Sequence, residues 1–370
     1  MRRKVVLSMV AVLLLFLVVT IALPKAADQV GLTVHEWGTF TSVAGVNGDA
    51  VAWRTYGGPG DLPCFVNRFG GFKGVLLGNV RMETPVLYFY VYGPRDLTTN
   101  VKVRFPMGTL TEWYPKATMS RSYNAIEWHD VKISPDVVME FPVESGLSHY
   151  YAARETDAAP LQIGTQKEKF LFYRGVGTFP LPIAARVRDD GKIVVNSIGE
   201  DPVSGVIFFE NRGGTPRYQL AGMLQSETIL DSKSLQSNWA GLLMDLERIL
   251  VDHGLYQKEA RAMIETWRDS WFEEGTRLFY IVPKRALDSI LPLEVQPVPS
   301  QIGRVFVGRM EIITPEIQDR VRQAVAKNDR VTLEKYGRFL EPIAKRVGLK
   351  SPLLDSIYSD AAAQTGCFSR

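Results

Sequence analysis

A run of seven residues without a charge, Val86-Leu87-Tyr88-Phe89-Tyr90-Val91-Tyr92, lies between Pro85 and Gly93. β-Branched and aromatic side chains favour an extended backbone, and Pro and Gly interrupt it. A run this short and this apolar is typical of a strand that is covered on both faces. We therefore predict a buried strand in the middle of a sheet.

Short segments of the same kind continue on both sides of this run, from about residue 33 to about residue 224. Phe170-Leu171-Phe172-Tyr173 is a second apolar run. Val101-Lys102-Val103-Arg104-Phe105 instead alternates apolar and charged residues, as a half-exposed strand does. Regularly spaced short strands with Gly- and Pro-containing turns predict a sandwich or a barrel.

The pattern becomes helical after residue 226. Apolar residues recur every three or four positions over residues 235–253, and Gly254 follows as the expected end of a helix. Residues 257–274 repeat this pattern, so the two segments predict a helical hairpin. Further strands are predicted at 277–282 and 304–313, and further helices near 284–290, from Pro315 onward, at 334–347 and at 353–363.

Together these patterns predict a mixed α+β fold: a β-rich, sandwich-like N-terminal region, then a helical hairpin, returning strands and a helical C-terminus. The pattern of predicted elements divides the chain into a targeting segment at 1–27, a β-rich domain at 28–225 and an α/β region at 226–370, with the boundary near 225 marking a change in the kind of element. The returning strands either rejoin the first sheet or form a sheet of their own. The sequence leaves both arrangements open.

Length and charge exclude some classes of protein. The chain has 370 residues, of which 46% are hydrophobic and 22% are charged, so it can bury a large core. Its 43 Lys and Arg residues nearly balance its 40 Asp and Glu residues. Nucleic-acid-binding domains usually carry a clear basic excess, so nucleic acid is not a predicted partner.

The N-terminus has the features of a targeting segment. Arg2, Arg3 and Lys4 precede an apolar run at 5–23, and this order places the N-terminus inside the cell and the rest of the chain outside. A membrane helix needs about 20 residues, whereas a signal peptide has an apolar core of about 7 to 15. We therefore expect either a membrane anchor with a periplasmic or extracellular domain, or a secreted protein whose signal is cleaved.

Cys64 and Cys367 are the two cysteines of the chain. Disulfides persist outside the cell, so a bridge between them would tie the C-terminal tail to an early loop. The alternative is two unpaired thiols.

Motifs with a well-known chemistry are absent from the sequence. It contains no phosphate-binding Gly-rich loop, no complete dinucleotide fingerprint, no nucleophile elbow and no Cys-x-x-Cys pair. The cofactor, if the protein uses one, is therefore unknown at this point.

Four histidines are present, so a histidine site has few candidate members. Glu127 and His129 are two residues apart on a predicted strand and point to the same face. His129, with His35 and Glu36 from an earlier strand, would supply nitrogen and oxygen ligands for a metal with an open position. The alternative is that Glu127 and His129 form an exposed pair without a function.

The other two histidines have simpler explanations. His149 lies in a polar loop, where we expect it to be solvated. His253 lies in the last turn of a predicted helix, where an imidazole interacts favourably with the helix dipole. We therefore predict a capping role for His253.

Glutamates interrupt otherwise apolar strands. Glu83, Glu112 and Glu127 would provide a general acid and a general base for glycoside cleavage if they lined one cleft, because two carboxylates suffice for that reaction. Salt bridges at strand ends explain the same residues without any catalysis.

Several aromatic residues lie near turns or polar residues, as they would on a carbohydrate-stacking face. They are Trp37, Trp53, Trp113, Tyr114 and Trp128. The alternative is that they are core residues or cross-strand pairs. A carbohydrate is therefore one candidate partner.

Four strings of residues carry a resemblance that covers most of the chain after the targeting segment. They are His35-Glu36-Trp37-Gly38-Thr39-Phe40-Thr41-Ser42, Met82-Glu83-Thr84-Pro85-Val86, Phe170-Leu171-Phe172-Tyr173-Arg174-Gly175 and Trp267-Arg268-Asp269-Ser270-Trp271-Phe272-Glu273-Glu274-Gly275. They resemble a family of exported bacterial proteins whose activity is uncharacterised. The resemblance implies bacterial export, and it implies no activity, fold or ligand.

The leading interpretation is a binding or scaffolding ectodomain of the bacterial envelope, with an envelope protein or a carbohydrate as its partner. The alternative is an envelope hydrolase whose carboxylate and histidine site, with or without a metal, is built from the six candidate residues. The two interpretations differ in whether those side chains meet in one cleft, because acid, base and metal ligands must converge.

Overall fold

The computed structural model describes residues 31–54, 62–69, 77–93, 96–145 and 148–363. The strands of this part lie mostly before residue 231, and its α-helices all lie after residue 238. The chain is therefore a mixed α+β structure, which confirms the predicted fold class.

The described residues form twenty strands. In chain order they are β1 (Gly31–Val43), β2 (Trp53–Arg54), β3 (Asn67–Arg68), β4 (Leu77–Gly78), β5 (Val80–Tyr92), β6 (Leu97–Arg104), β7 (Gly108–Tyr114), β8 (Thr118–Met119), β9 (Ala125–Ile133), β10 (Leu161–Ile163), β11 (Gln166–Glu168), β12 (Leu171–Gly177), β13 (Ile183–Val187), β14 (Ile193–Ser197), β15 (Ser204–Arg212), β16 (Thr215–Gly222), β17 (Glu227–Leu230), β18 (Gly275–Ile281), β19 (Leu293–Gln296) and β20 (Gln301–Glu311).

The same residues form seven α-helices and three short 3-10 turns. The helices are α1 (Trp239–Asp252), α2 (Gln257–Trp271), α3 (Lys284–Ile290), α4 (Pro315–Ala326), α5 (Arg330–Glu334), α6 (Leu340–Arg346) and α7 (Pro352–Ala363), and the turns are His149–Arg154, Ser232–Ser234 and Gly337–Phe339.

The largest sheet has nine strands in the order β16-β15-β18-β20-β1-β5-β12-β7-β3. β1 runs parallel to β20 and antiparallel to β5, and the other neighbours in this sheet are antiparallel. β18 and β20 therefore rejoin the sheet that the strands before residue 225 begin. This is one of the two arrangements that the sequence leaves open.

Two smaller sheets pack on one face of the nine-stranded sheet. One has the order β11-β10-β9-β6-β19 with β8 beside β9, and the other has the order β13-β14-β17. Side chains of all three sheets form one buried apolar cluster, which includes Phe40, Phe89, Trp128 and Val195. The β-rich part is thus a sandwich of packed sheets.

The hairpin of α1 and α2 covers the opposite face of the nine-stranded sheet. A second buried cluster joins Trp37 and Tyr88 of the sheet to Leu246 and Trp267 of the helices. Because neighbouring residues of a strand point to opposite faces, β1 and β5 are buried on both sides. This explains why the run at 86–92 is continuously apolar.

Side chains cap both ends of α1, the first helix of the hairpin. Asn238 accepts a hydrogen bond from the Gly241 N–H at 2.9 Å and so caps α1. His253 follows the last residue of α1, and its Nδ1 lies 2.7 Å from the Ile249 carbonyl oxygen. The predicted capping role of His253 is confirmed.

α4 to α7 form a third cluster at one end of the sheet, around Val43, Ile313, Tyr336 and Phe339. The helix predicted at 334–347 is interrupted there. Gly337 has φ of +48°, a left-handed conformation that ends a regular helix, and a 3-10 turn separates α5 from α6.

Buried ion pairs lie at this end of the sheet, and one of them, Arg338–Glu83, joins the helical end to β5. They are Arg277–Glu311 at 2.8 Å, Arg309–Glu273 at 2.7 Å and Arg338–Glu83. Charges within the apolar strands therefore pair with one another, as the salt-bridge interpretation predicts.

Among the described residues, no helix is long and apolar enough to cross a membrane. The prediction of a membrane-anchored envelope protein is corrected on this finding. Residues 5–23, to which the anchor or signal is assigned, lie outside the described residues.

Cys64 lies before β3 and is disulfide-bonded. Its predicted partner, Cys367, lies outside the described residues.

Candidate functional site

A cleft of about 800 Å³ opens at one end of the nine-stranded sheet. Its wall combines basic, acidic and apolar residues with a serine and a histidine. They are Asp201, Pro202, Ser204, His253, Gly254, Ile281, Val282, Pro283, Lys284, Arg285, Asp288, Gln301, Ile302, Gly303 and Arg304. Such a volume lies within the usual range of ligand sites.

The cleft lies where β18 ends and β20 continues. Ile281 is the last residue of β18 and pairs with Val307. The Val282 N–H still donates to the Phe306 carbonyl at 2.8 Å, and the chain then turns into α3. The first residues of β20, from Gln301 onward, therefore extend beyond the end of β18.

The backbone of this extension presents a free strand edge. Backbone groups of alternate strand residues point to the same side, so Ile302 and Arg304 share the direction of Phe306, away from β1. On the other side of β20, the Ala44 N–H donates to the Glu311 carbonyl at 2.9 Å. No described residue forms a hydrogen bond with the N–H or C=O of Ile302 or Arg304 on the free side.

Arg304 is the most deeply buried charge of the cleft wall, with its side chain 3% exposed. Its Nε donates to Glu36 at 2.6 Å and its Nη1 to Asp288 at 2.9 Å. Burial lowers the pKa of Arg304, but the charges of Glu36, Tyr173 and Asp288 and the hydrogen bond to Glu36 together outweigh this effect and raise the pKa above its ordinary value. Its Nη2 is buried and has no hydrogen-bond partner among the described residues.

Glu36 lies behind this arginine on the sandwich side of β1. The Tyr173 hydroxyl donates to Glu36, and burial together with the Glu36 charge raises the pKa of Tyr173 well above its ordinary value. Tyr173 therefore stays protonated and keeps Glu36 and Arg304 in place.

Ser204 and His253 are in contact with each other on the wall of the cleft. Ser204 is the first residue of β15, and its Oγ lies 2.8 Å from His253 Nε2. The Ile249 carbonyl can accept only, so Nδ1 of His253 carries the proton and Nε2 accepts from Ser204. The pair has the geometry of a hydroxyl beside a general base.

His35 lies behind Gly303 on the helix side of β1. It is fully buried, and its Nδ1 lies 2.7 Å from Glu259 Oε2. Its Nε2 is buried and unpartnered among the described residues. A Cβ on Gly303 would lie 3.0 Å from that Nε2, so glycine lets the cleft wall approach the imidazole closely.

The remaining candidate residues lie elsewhere. Glu83 of β5 pairs with Arg338, and Glu112 of β7 accepts from the Thr111 hydroxyl. Glu127 of β9 pairs with Lys102 at 2.6 Å. Glu83 and Glu112 both interact with Arg81, whereas Glu127 lies apart in the second sheet, and none of the three lines the cleft.

The candidate metal ligands are also separated. His35 and Glu36 point to opposite faces of β1, and His129 lies in the second sheet with its side chain 55% exposed, 3.5 Å from Glu127. No group of three or more His, Cys, Asp or Glu residues within the described ranges is placed to hold a metal ion.

Most of the aromatic residues predicted to stack on a carbohydrate are buried in the protein. Trp37, Trp53, Tyr114 and Trp128 are each at most 3% exposed, so they are core residues, the alternative that the sequence leaves open. For these four residues the prediction is corrected because rings that are buried in the protein cannot stack on a sugar. Trp113 is half-buried.

Ser204, Ile302 and Arg304 are cleft residues that the sequence does not indicate. Ser204 lies 49 positions from His253, and Arg304 lies 268 positions from Glu36. No motif links residues at such separations. His253 is named from the sequence, but as a helix cap only.

Comparisons with known proteins give structural matches alone. No family model and no curated protein matches the sequence. The Fcho1 Mu homology domain of Danio rerio with bound Eps15 peptide matches with a TM-score of 0.33 and 7% identity, over 76% of this chain and 96% of that one.

Two yeast structures match at a similar level. The delta-COP-I mu-homology domain has a TM-score of 0.31 and 8% identity, over 76% of this chain and 95% of that chain. The same domain complexed with a Dsl1 WxWxV peptide has a TM-score of 0.27 and 10% identity, over 76% and 96%. Likeness at this level carries no conclusion about the function of this chain.

Proposed function

We propose that this chain is a protein-binding domain whose cleft takes up an extended segment of a partner protein. The observation that carries the proposal is the free edge of β20 at Ile302 and Arg304. An exposed strand edge with unpaired N–H and C=O groups is a template for another strand. Addition of a strand at such an edge is a common way to bind a peptide.

The cleft also offers contacts for side chains. An extended segment presents alternate side chains to opposite faces. Ile302, which is 38% exposed, provides an apolar surface on the wall beside the buried Ile281 and Val282, and burial of about 100 Å² of apolar area contributes about 2.5 kcal/mol.

The charge of the wall indicates an acidic residue in the segment. Arg304, Lys284 and Arg285 are basic, and the two latter side chains are more than 70% exposed. The exposed cations of Lys284 and Arg285 are within reach of a bound segment, and a carboxylate is the strongest acceptor for them. We therefore expect the bound segment to carry Asp or Glu opposite Lys284 and Arg285.

The experiment starts from a phage-displayed library of random twelve-residue peptides, selected on the full-length protein. The enriched peptides are synthesised, and their dissociation constants are measured by fluorescence anisotropy. Each acidic peptide has a twin in which the Glu or Asp is changed to Gln or Asn. We expect the twin to bind about tenfold more weakly, because one charge-assisted hydrogen bond is lost.

The strand edge is tested by a matched pair of variants. Ile302→Pro removes the unpaired N–H, and Pro is tolerated near the start of a strand when its nitrogen faces solvent. Ile302→Ala removes the side chain and keeps the N–H. We expect Ile302→Pro to weaken peptide binding about tenfold relative to Ile302→Ala, with both variants folded by circular dichroism. Equal affinities, or no peptide enriched over an unrelated bait, would contradict the proposal.

A further inference from the structure

We infer that Ser204 and His253 form a nucleophile and general-base pair that hydrolyses a carboxylic ester bound in this cleft. The inference goes beyond peptide binding, because it requires the cleft and this pair of side chains but not the free edge of β20. It also differs from the carboxylate and metal sites that the sequence predicts.

The hydrogen-bond geometry supports the two roles. Ser204 Oγ to His253 Nε2 is 2.8 Å, and His253 Nδ1 to the Ile249 oxygen is 2.7 Å. The helix end thus fixes the imidazole in the tautomer whose Nε2 lone pair faces the serine. A nucleophile, a base and a group that orients the base are the three elements of serine catalysis.

The backbone at Ser204 is shaped to present its hydroxyl. The pairing of β15 with β18 shifts register between Ser204 and Ile207, so a β-bulge directly follows the serine. Gly205 has φ of +62° there, and a Cβ on it would lie 2.8 Å from Ile249 and 2.9 Å from Ile281. Bulges of this kind are common beside active sites, where they redirect a side chain.

The surroundings suit an ester carbonyl. Lys284, Arg285 and Arg304 lie on the same cleft wall, and positive groups stabilise the negative oxygen that forms when a carbonyl is attacked. His253 is exposed and Ser204 is half-buried, so a ligand in the cleft reaches both.

The reaction is a hydrolysis in two steps. Ser204 Oγ bonds to the carbonyl carbon while its proton passes to His253 Nε2, and the alcohol leaves with that proton. Water then attacks the acyl carbon as His253 takes one of its protons, the bond from Oγ to carbon breaks, and Ser204 regains the proton. The products are the free acid and the alcohol, and no oxidant or metal is needed.

The experiment uses the full-length protein with two probes. A fluorophosphonate reagent labels activated serines, and p-nitrophenyl butyrate reports ester hydrolysis. We expect the fluorophosphonate to attach at Ser204, as located by mass spectrometry, and Ser204→Ala to abolish both the labelling and the hydrolysis. His253→Gln should reduce hydrolysis at least 100-fold, the usual size of a general-base contribution.

Two variants are matched controls. Ser237→Ala removes another exposed serine hydroxyl, and His149→Gln removes another half-exposed imidazole, which pairs with Asp269 at 3.0 Å. Both should label and hydrolyse like the unchanged protein. The inference is overturned if the unchanged protein is not labelled, or if Ser204→Ala is labelled equally.

Failure of the two proposals can be told apart. Labelling of Ser204 and ester hydrolysis by the unchanged protein would support the catalytic pair even if no peptide binds. Peptide binding by an unchanged protein that is neither labelled nor active on the ester would leave a binding domain in which the serine and histidine only connect β15 to α1.

Discussion

Adjacent residues of β1 have quite different surroundings. His35 contacts Glu259 under the helical hairpin, whereas Glu36 contacts Arg304 on the sandwich side. Their alternation follows from strand geometry and is predictable. Their partners are 224 and 268 positions away in the chain, so no local pattern could indicate them.

Arg309 gives a prediction at the scale of one residue. Its side chain is fully buried, donates to Ser270 and Glu273, and lies 4.7 Å from the Phe339 ring. Burial, with the charge of Arg277 nearby, lowers its pKa to about 10. Arg309→Lys keeps the charge but loses the planar fork and the stacking. We expect it to lower the free energy of unfolding by about 3 kcal/mol.

Urea denaturation measures that difference, and Arg322→Lys is the control. Arg322 is 47% exposed and pairs with Asp319 on the surface of α4, so its replacement should change stability by less than about 0.5 kcal/mol. A similar small effect at Arg309 would show that the buried pairs do not stabilise the helical end.

At the scale of single elements, the sequence predicts the bounds of a helix best where residues at the helix ends themselves favour starting or ending it. α3 coincides with its predicted span, and α4 begins at Pro315 as predicted, because Pro suits a first helical turn. The break at Gly337 was not predicted, since the glycine takes its left-handed conformation against Glu273 of a distant segment. The offset between β18 and β20 also depends on register between remote strands.

α5 begins with a cap whose effect depends on pH. The Thr332 hydroxyl and N–H both donate to Asp329, and these bonds lower the pKa of its carboxyl below the ordinary value. A carboxyl with a lowered pKa in the folded state adds stability above its unfolded pKa of about 4. That stability is lost as the pH falls through the folded-state pKa.

We therefore expect the Tm of Asp329→Asn to lie below that of the unchanged protein at pH 6 and to approach it at pH 2.5. Calorimetry at the two pH values gives the comparison, and Asn keeps one oxygen acceptor for the Thr332 N–H and has the same charge as the protonated carboxyl. A Tm gap that is constant with pH would contradict the assignment.

At the scale of the whole molecule, the nine-stranded sheet combines strands from the first part of the chain with two strands that follow the helical hairpin. β18 and β20 lie between β15 and β1 in the sheet. Without β18 and β20, the β15–β16 pair would be separated from the rest of the sheet, which begins at β1. The hydrophobic periodicity divides the sequence at that point, because periodicity indicates the kind of element and not which strands pair.

We predict that the segments 28–225 and 226–370, expressed separately, do not fold. Each should lack near-ultraviolet circular dichroism and a cooperative urea transition, while co-expression should restore both in a complex. The full chain serves as the reference. A cooperative transition in isolated 28–225 would show instead that the N-terminal strands form a domain by themselves.

The parallel pairing of β1 with β20 has a consequence for synthesis on the ribosome. Its residues are 268 positions apart, as in the Thr33–Gln301 pair. At about 5 to 20 residues per second, roughly 15 to 50 seconds pass between the emergence of the two strands. During that time β1 has β5 on one side and an open, apolar edge on the other. The nascent chain is therefore most prone to aggregate before its last quarter is made, and a chaperone that holds β1 would protect it.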